Sequence, residues 1–231
     1  PAGAGGNGTL TVAAGATLQT ANTGTTNTNC IITDLGGNPP YNLYNYGTLR
    51  LLGATPQLRL ENFTQYEGST IEYGAASAQS FLKNSYPSLA EISNYRNLVF
   101  SGSGNKTPAA NFIVKEDLNI QGTAVLVMGA RFATITGNWT SYGAAGLNEG
   151  TSTITFDSTG AQTINTTGGE SFYVLRKNNT GTLTFNSNVA IAAGGNLNLS
   201  AGTINAGTNS FTGTATSALN MSGGTLRLAK L

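Results

Sequence analysis

The chain contains one phrase twice. Ser69 to Phe81 reads S-T-I-E-Y-G-A-A-S-A-Q-S-F, and Ser152 to Ile164 reads S-T-I-T-F-D-S-T-G-A-Q-T-I. The two align without a gap at an offset of 83 residues, Ser69 on Ser152. Each copy alternates apolar and polar residues, makes a small-residue turn, then resumes with Ala-Gln and a second short strand. A strand–turn–strand phrase repeated in this way is the signature of stacked β-repeats, because one unit cannot bury its apolar side without a neighbour.

The correspondence continues past the phrase. A link six residues shorter in the second copy drops the offset to 77, where Leu98 matches Leu175 and Asn111 matches Asn188. Leu118-Asn-Ile120 then matches Leu197-Asn-Leu199. The unit of about 80 residues divides into about four coils of about 20 residues each. Paired apolar positions mark the strands along the chain: Leu10/Val12, Leu49/Leu51, Ile71/Tyr73, Leu98/Phe100, Leu118/Ile120, Ile154/Phe156, Leu183/Phe185, Leu197/Leu199 and Leu226/Leu228. The expected fold is all-β: a single-stranded parallel β-helix (β-solenoid) of about 10–12 coils with loop insertions, right-handed by the usual crossover preference. At about 4.8 Å per coil the rod is roughly 50 Å long. One elongated domain spans 1–231, with repeats at 67–149 and 150–231 and N-terminal coils at 1–66. Leu118, Ile120, Ile154, Phe156, Leu183, Phe185, Leu197 and Leu199 are expected to point inward.

The stack explains the composition. Each side chain sits above its counterpart one coil away, so like charges would stack. Charged residues are accordingly 9% of the chain, against roughly 25% in an ordinary soluble domain. Asn suits side-chain amide ladders and Gly, present 31 times, suits corners. A net charge of +1 implies no surface for nucleic acid. No run of 18 apolar residues occurs, so no membrane insertion is expected. The single Cys30 excludes an intrachain disulfide and reads as a small buried hydrophobe. The start at Pro1 and the strand-like end L-R-L-A-K-L are those expected of a piece of something longer.

Some stretches break the rhythm. Residues 19–29 are Thr/Asn-rich and read as a loop. Tyr41, Tyr44 and Tyr46 cluster beside Pro39-Pro40. Residues 82–96 contain Tyr86 and Tyr95, and Pro87 with Leu89 and Ile92 predicts one or two helical turns leaving the stack. These tyrosines are the candidate ligand contacts, since aromatics on loops stack on sugars or protein. The competing reading of the first cluster is that two of its three rings pack over a coil end.

The phrases G-T-S-T-I-T-F-D-S-T-G-A-Q-T-I, F-Y-V-L-R-K-N-N-T-G-T-L-T-F and G-N-L-N-L-S-A-G-T-I-N resemble the repeats of very large surface proteins of Bacteroidota. These include gliding-motility adhesins secreted by the type IX system. The resemblance covers Glu67 to about Asn209 and departs at Val174, where Asn is usual. It implies a secreted, extracellular, cell-surface adhesin or stalk segment rather than an enzyme. The partners implied are neighbouring repeats of the same chain, secretion or surface-anchoring machinery, and glycans or surface proteins. Asp157-Ser158-Thr159 resembles the O-glycosylation pattern of the same organisms, with Ser158 as acceptor; it also serves as a turn.

No catalytic set is legible and no cofactor is expected. The chain has no histidine, which excludes Ser-His-Asp catalysis and the common zinc sites. Its acids are scattered, and Glu116-Asp117 would point to opposite faces of a strand. Glu72 stacked near another rung's acid is the one opening for a carbohydrate-active β-helix enzyme, which is the alternative function. Thr-x-Thr pairs at Thr9/Thr11, Thr153/Thr155, Thr182/Thr184 and Thr212/Thr214 admit an ice-binding solenoid as a third. Asn62 and Asn138 head N-x-T sequons that chance explains.

Overall fold

A computed structural model of the chain describes residues 8–21, 42–58, 60–84, 90–143 and 146–228. Strands that alternate apolar and polar residues lie flat on one another in parallel, and no helix occurs among the described residues. The longest ladder runs Thr17–Thr20, Thr48–Leu51, Thr70–Tyr73, Asn97–Phe100, Leu118–Val127, Trp139–Gly143, Gln162–Thr166, Thr182–Phe185, Thr203–Asn205, Thr225–Arg227. The chain is a β-solenoid making about eight turns, counted from Thr48 to Thr225. That is fewer than the 10–12 coils expected, because coils are longer than assumed. Along the longest ladder from Thr48 onward they range from 20 residues (Leu98 on Leu118) to 27 (Thr70 on Asn97), and the step from Thr17 to Thr48 is 31.

Two further ladders complete the coil. One precedes the long ladder in every turn and is split into two sheets, the first of Thr9–Val12, Asn42–Asn45 and Asn62–Gln65, the second opening with Asn94–Tyr95, Phe112–Val114, Phe132–Ile135 and Thr153–Phe156. The other follows it, through Gln79–Ser80, Ser103–Thr107 and Leu147–Asn148. Some strands serve two ladders. Leu118–Val127 pairs with Trp139–Gly143 through its first half and with Ser103–Thr107 through its second. Val189–Leu199 likewise divides between Phe211–Gly213 and Ala218–Met221. Both bend at a glycine, Gly122 (φ +66°) and Gly194 (φ +74°), in a backbone region that other residues rarely adopt.

The core is the column that alternation predicts. Leu49, Ile71, Leu98, Leu118, Trp139, Ile164 and Phe185 stack in register, each at most 1% exposed. All eight residues expected to point inward are buried. Burial of each such side chain contributes about 1.5–3 kcal/mol. At the two ends the pairs open: Leu10 and Leu228 are exposed. Asn ladders form where expected of stacked amides, Asn62 on Asn42 at 2.8 Å and Asn220 on Asn198 at 2.9 Å. Opposite charges stack too, Arg50 on Glu72 at 3.1 Å.

The repeated phrase encodes a corner, not a coil. Thr70–Tyr73 belongs to the longest ladder, whereas Thr153–Phe156 belongs to the ladder before it. The rungs Ile71, Leu98, Leu118 and Trp139 make three turns, and Ile154 comes one face short of the fourth. The unit therefore does not divide into four coils; the second copy is rotated by one face. What it preserves is the local bonding. Gln79 Nε2 donates to the carbonyls of Leu51 (2.9 Å) and Gly53 (2.8 Å) one coil away, and its Oε1 accepts from Ala75 N–H. Gln162 repeats this with Ile135 (3.0 Å), Gly137 (2.7 Å) and Ser158 N–H. A lysine closes each corner on the matched carbonyl: Lys106 Nζ on Ala75 (2.7 Å), Lys177 Nζ on Ser158 (3.0 Å). Both lysines are fully buried, and burial lowers both ammonium pKa values, Lys106 to about 8.

The insertion at 82–96 is not helical where it is described. Lys83–Asn84 pairs antiparallel with Ala90–Glu91 and parallel with Gln57–Leu58. The Asn84 amide exchanges two hydrogen bonds with the Leu60 backbone, extending the sheet pairing by a side chain. Ile92 packs on the core. Leu89 and Tyr86 lie outside the described residues, as do Cys30 and Tyr41.

Candidate functional site

Alternation in Asn42–Asn45 turns Leu43 and Asn45 inward and Tyr44 outward. Buried Asn45 donates to the Thr70 carbonyl (3.1 Å) and accepts from Gly47 N–H (3.2 Å), which fixes the corner from which Tyr46 projects. Tyr46 is 39% exposed. Its ring stacks on Tyr66 with centroids 3.9 Å apart and planes within 10°. Tyr66 meets Tyr44 edge-on at 6.2 Å. The neighbouring Tyr66 phenol raises the Tyr46 phenol pKa. Three tyrosines from two successive coils thus form one outward platform.

Sequence reasoning placed Tyr44 and Tyr46 here and missed Tyr66. The signal was available, since N-L-Y-N-Y at 42–46 and N-F-T-Q-Y at 62–66 match one coil apart. Tyr95 does not belong to the surface. It is 1% exposed, its hydroxyl lies 2.9 Å from that of Tyr73 and donates to the Ile92 carbonyl, and burial raises both phenols. Its two-residue strand was too short for alternation to reveal this.

Beside the platform the ladder is interrupted. Asn62–Gln65 ends one sheet and Asn94–Tyr95 begins another. A groove of about 200 Å³ lies at this seam, lined by Phe63, Thr64, Gln65, Asn94, Arg96 and Lys115 among others.

The remaining sequence candidates have local tasks. Ser158 accepts from Gly160 N–H at 3.0 Å and forms the Gln162 corner. Glu116 and Asp117 lie at a corner rather than on a strand. Glu116 holds Gly68 N–H and the Asn97 amide, and Asp117 holds Asn138. Glu72 faces Arg50 and Ser101, not another acid. Thr153 and Thr155 are buried, and Thr184 stacks on Asn205, so the Thr-x-Thr pairs do not line one face. Among the described residues no three acids, cysteines or histidines converge as a metal site would require.

One acid stands apart. Glu170 lines a groove of about 300 Å³ with Gly168, Gly169, Ser171 and Asn188. Burial raises its carboxyl to about 7, against Trp139 Nε1, 3.3 Å away, and the Ser171 N–H, which lower it; Glu149 nearby raises it further. Glu149 itself accepts from Ser171 Oγ at 3.2 Å.

No family model matches the chain, and no curated protein or solved structure is significantly similar to it.

Proposed function

We propose that this chain is a non-catalytic segment of a secreted, cell-surface adhesin or stalk, and that its tyrosine platform is what makes contact. The observation that carries the reading is the Tyr44–Tyr46–Tyr66 cluster, held outward by a stack whose other large aromatics are mostly buried. Rigid tyrosines lose little entropy on binding and offer both ring surface and hydroxyls to sugars or protein. The solenoid supplies length without new folding problems, since each coil templates the next. The extracellular location, the neighbouring repeats, and the secretion or anchoring machinery rest on the resemblance of the repeat phrases to gliding-motility adhesins.

The test is adhesion of beads coated with the protein to polysaccharide films and cells. Tyr46→Ser with Tyr66→Ser should abolish most attachment while the melting temperature stays within a few degrees. Attachment equal to that of the parent would reject the platform.

Glu170 favours a second reading, a carbohydrate-active enzyme. A carboxyl that holds its proton near neutrality beside a groove, with a second carboxylate close by, is the arrangement a general acid needs. Polysaccharide turnover by the purified protein that vanishes in Glu170→Gln would establish it in place of the first. Nothing in the arrangement of threonines favours ice binding.

A further inference from the structure

The seam beside the platform has a charge pattern of its own. In register, Asn45 lies on Gln65 and Tyr95 lies on Val114. Gln65 spans the break, donating from Nε2 to the Asn94 carbonyl at 2.7 Å. The residues that follow these positions, Tyr46, Tyr66, Arg96 and Lys115, therefore form one line along a corner of the rod. Two tyrosines lead into two cations. At about 4.8 Å per rung the line is about 14 Å long.

The groove at this line has Arg96 and Lys115 on its wall and no carboxylate. Arg96 is ion-paired with Glu116 at 3.6 Å, a carboxylate that also accepts from Gly68 N–H and the Asn97 amide. Lys115 is exposed and enters neither of the ion pairs found among the described residues. In a chain with 9% charged residues, two adjacent cations beside an aromatic platform are a local concentration of charge. Gln65 and Asn94 add side-chain amides suited to hydroxyl groups.

We infer that platform and groove together bind an acidic saccharide. Its ring packs against the tyrosines, its hydroxyls meet the amides, and its carboxylate or sulfate reaches Lys115 and Arg96 through charge-assisted hydrogen bonds. This rests on the adhesive reading above and adds the ligand class.

Binding is measured by calorimetry at low salt with alginate oligomers, dextran sulfate and neutral dextran. At least one acidic saccharide should bind about tenfold or more tighter than dextran, and its affinity should fall as NaCl is added. Lys115→Glu should lose about tenfold or more toward the acidic ligand, whereas Arg131→Glu, a change of equal charge elsewhere, should not. Alginate and dextran sulfate separate carboxylate from sulfate recognition. Dextran bound as tightly as both, or Lys115→Glu without effect, overturns the inference. If neutral glycans bind and Tyr66→Ala removes that binding, the platform stands and only the acidic preference fails. If no glycan binds, the inference fails, while the adhesion assay on cells still decides the platform.

Discussion

At the scale of single residues, position in the stack decides what each side chain costs. Leu197 is 1% exposed and lies between Leu175 and Leu219 in register. Leu197→Asp would bury an unpaired charge there and should destabilise by about 3–5 kcal/mol, read from urea melts. An unchanged midpoint would contradict the register. Glu170 behaves in the opposite sense to a paired carboxylate. Burial raises its pKa from 4.5 to about 7, so the folded chain keeps a proton that the unfolded chain has released. Its favourable contribution is complete below about pH 4.5 and is lost as pH rises to about 7. The loss is on the order of 2 kcal/mol once solvent screening is discounted. Glu170→Gln should flatten stability across that window. A variant with the same slope as the parent would assign the pH dependence to another group.

At the scale of elements, the unit of construction is the corner. Gln79 and Gln162 sit on different faces, yet each ties its turn to two carbonyls one coil away and each has a buried lysine behind it. Removing either amide strands buried carbonyls, at about 1–3 kcal/mol for each group left unpaired. Gln79→Leu and Gln162→Leu should therefore lower the urea midpoint by similar amounts. A large effect at one site only would mean that the two corners are not equivalent. Repetition of the corner without repetition of the face also explains the irregular offsets between the copies. An insertion such as 82–96 changes how far round the rod the next strand falls, while the corner bonds remain local.

For the whole molecule, each coil packs chiefly on the coils above and below, with few contacts such as Glu116 to Gly68 reaching two rungs away, so stability is close to a sum over rungs. Deleting residues 118–138 removes one turn, from Leu118 up to its register partner Trp139. Asp117 would then run directly into Trp139, and the new rung would lie on Leu98. The shortened protein should keep its β-sheet circular dichroism and melt cooperatively at a lower temperature, by about 2–4 °C for each kcal/mol lost. Unfolding of the deletion variant would show that the coils are not interchangeable. The same one-dimensional construction confines departures from the rung pattern to breaks and insertions, among them the seam and its tyrosines, where the proposed contact lies.

The sequence alone determined the architecture and the inward positions. Alternation with period two is a local property, and in a stack of like strands it leaves one way to bury Leu118, Phe156 or Leu199. Sequence also marked Tyr44 and Tyr46, because outward aromatics interrupt that pattern. Only the tertiary structure decided which face each repeat occupies, since that depends on the summed lengths of every corner and insertion before it. It alone brought Arg96 and Lys115 into line with Tyr46 and Tyr66. It also buried Tyr95 and the two lysines. A lysine reads as solvated in sequence, and only the carbonyls gathered at a corner one coil away make its burial affordable.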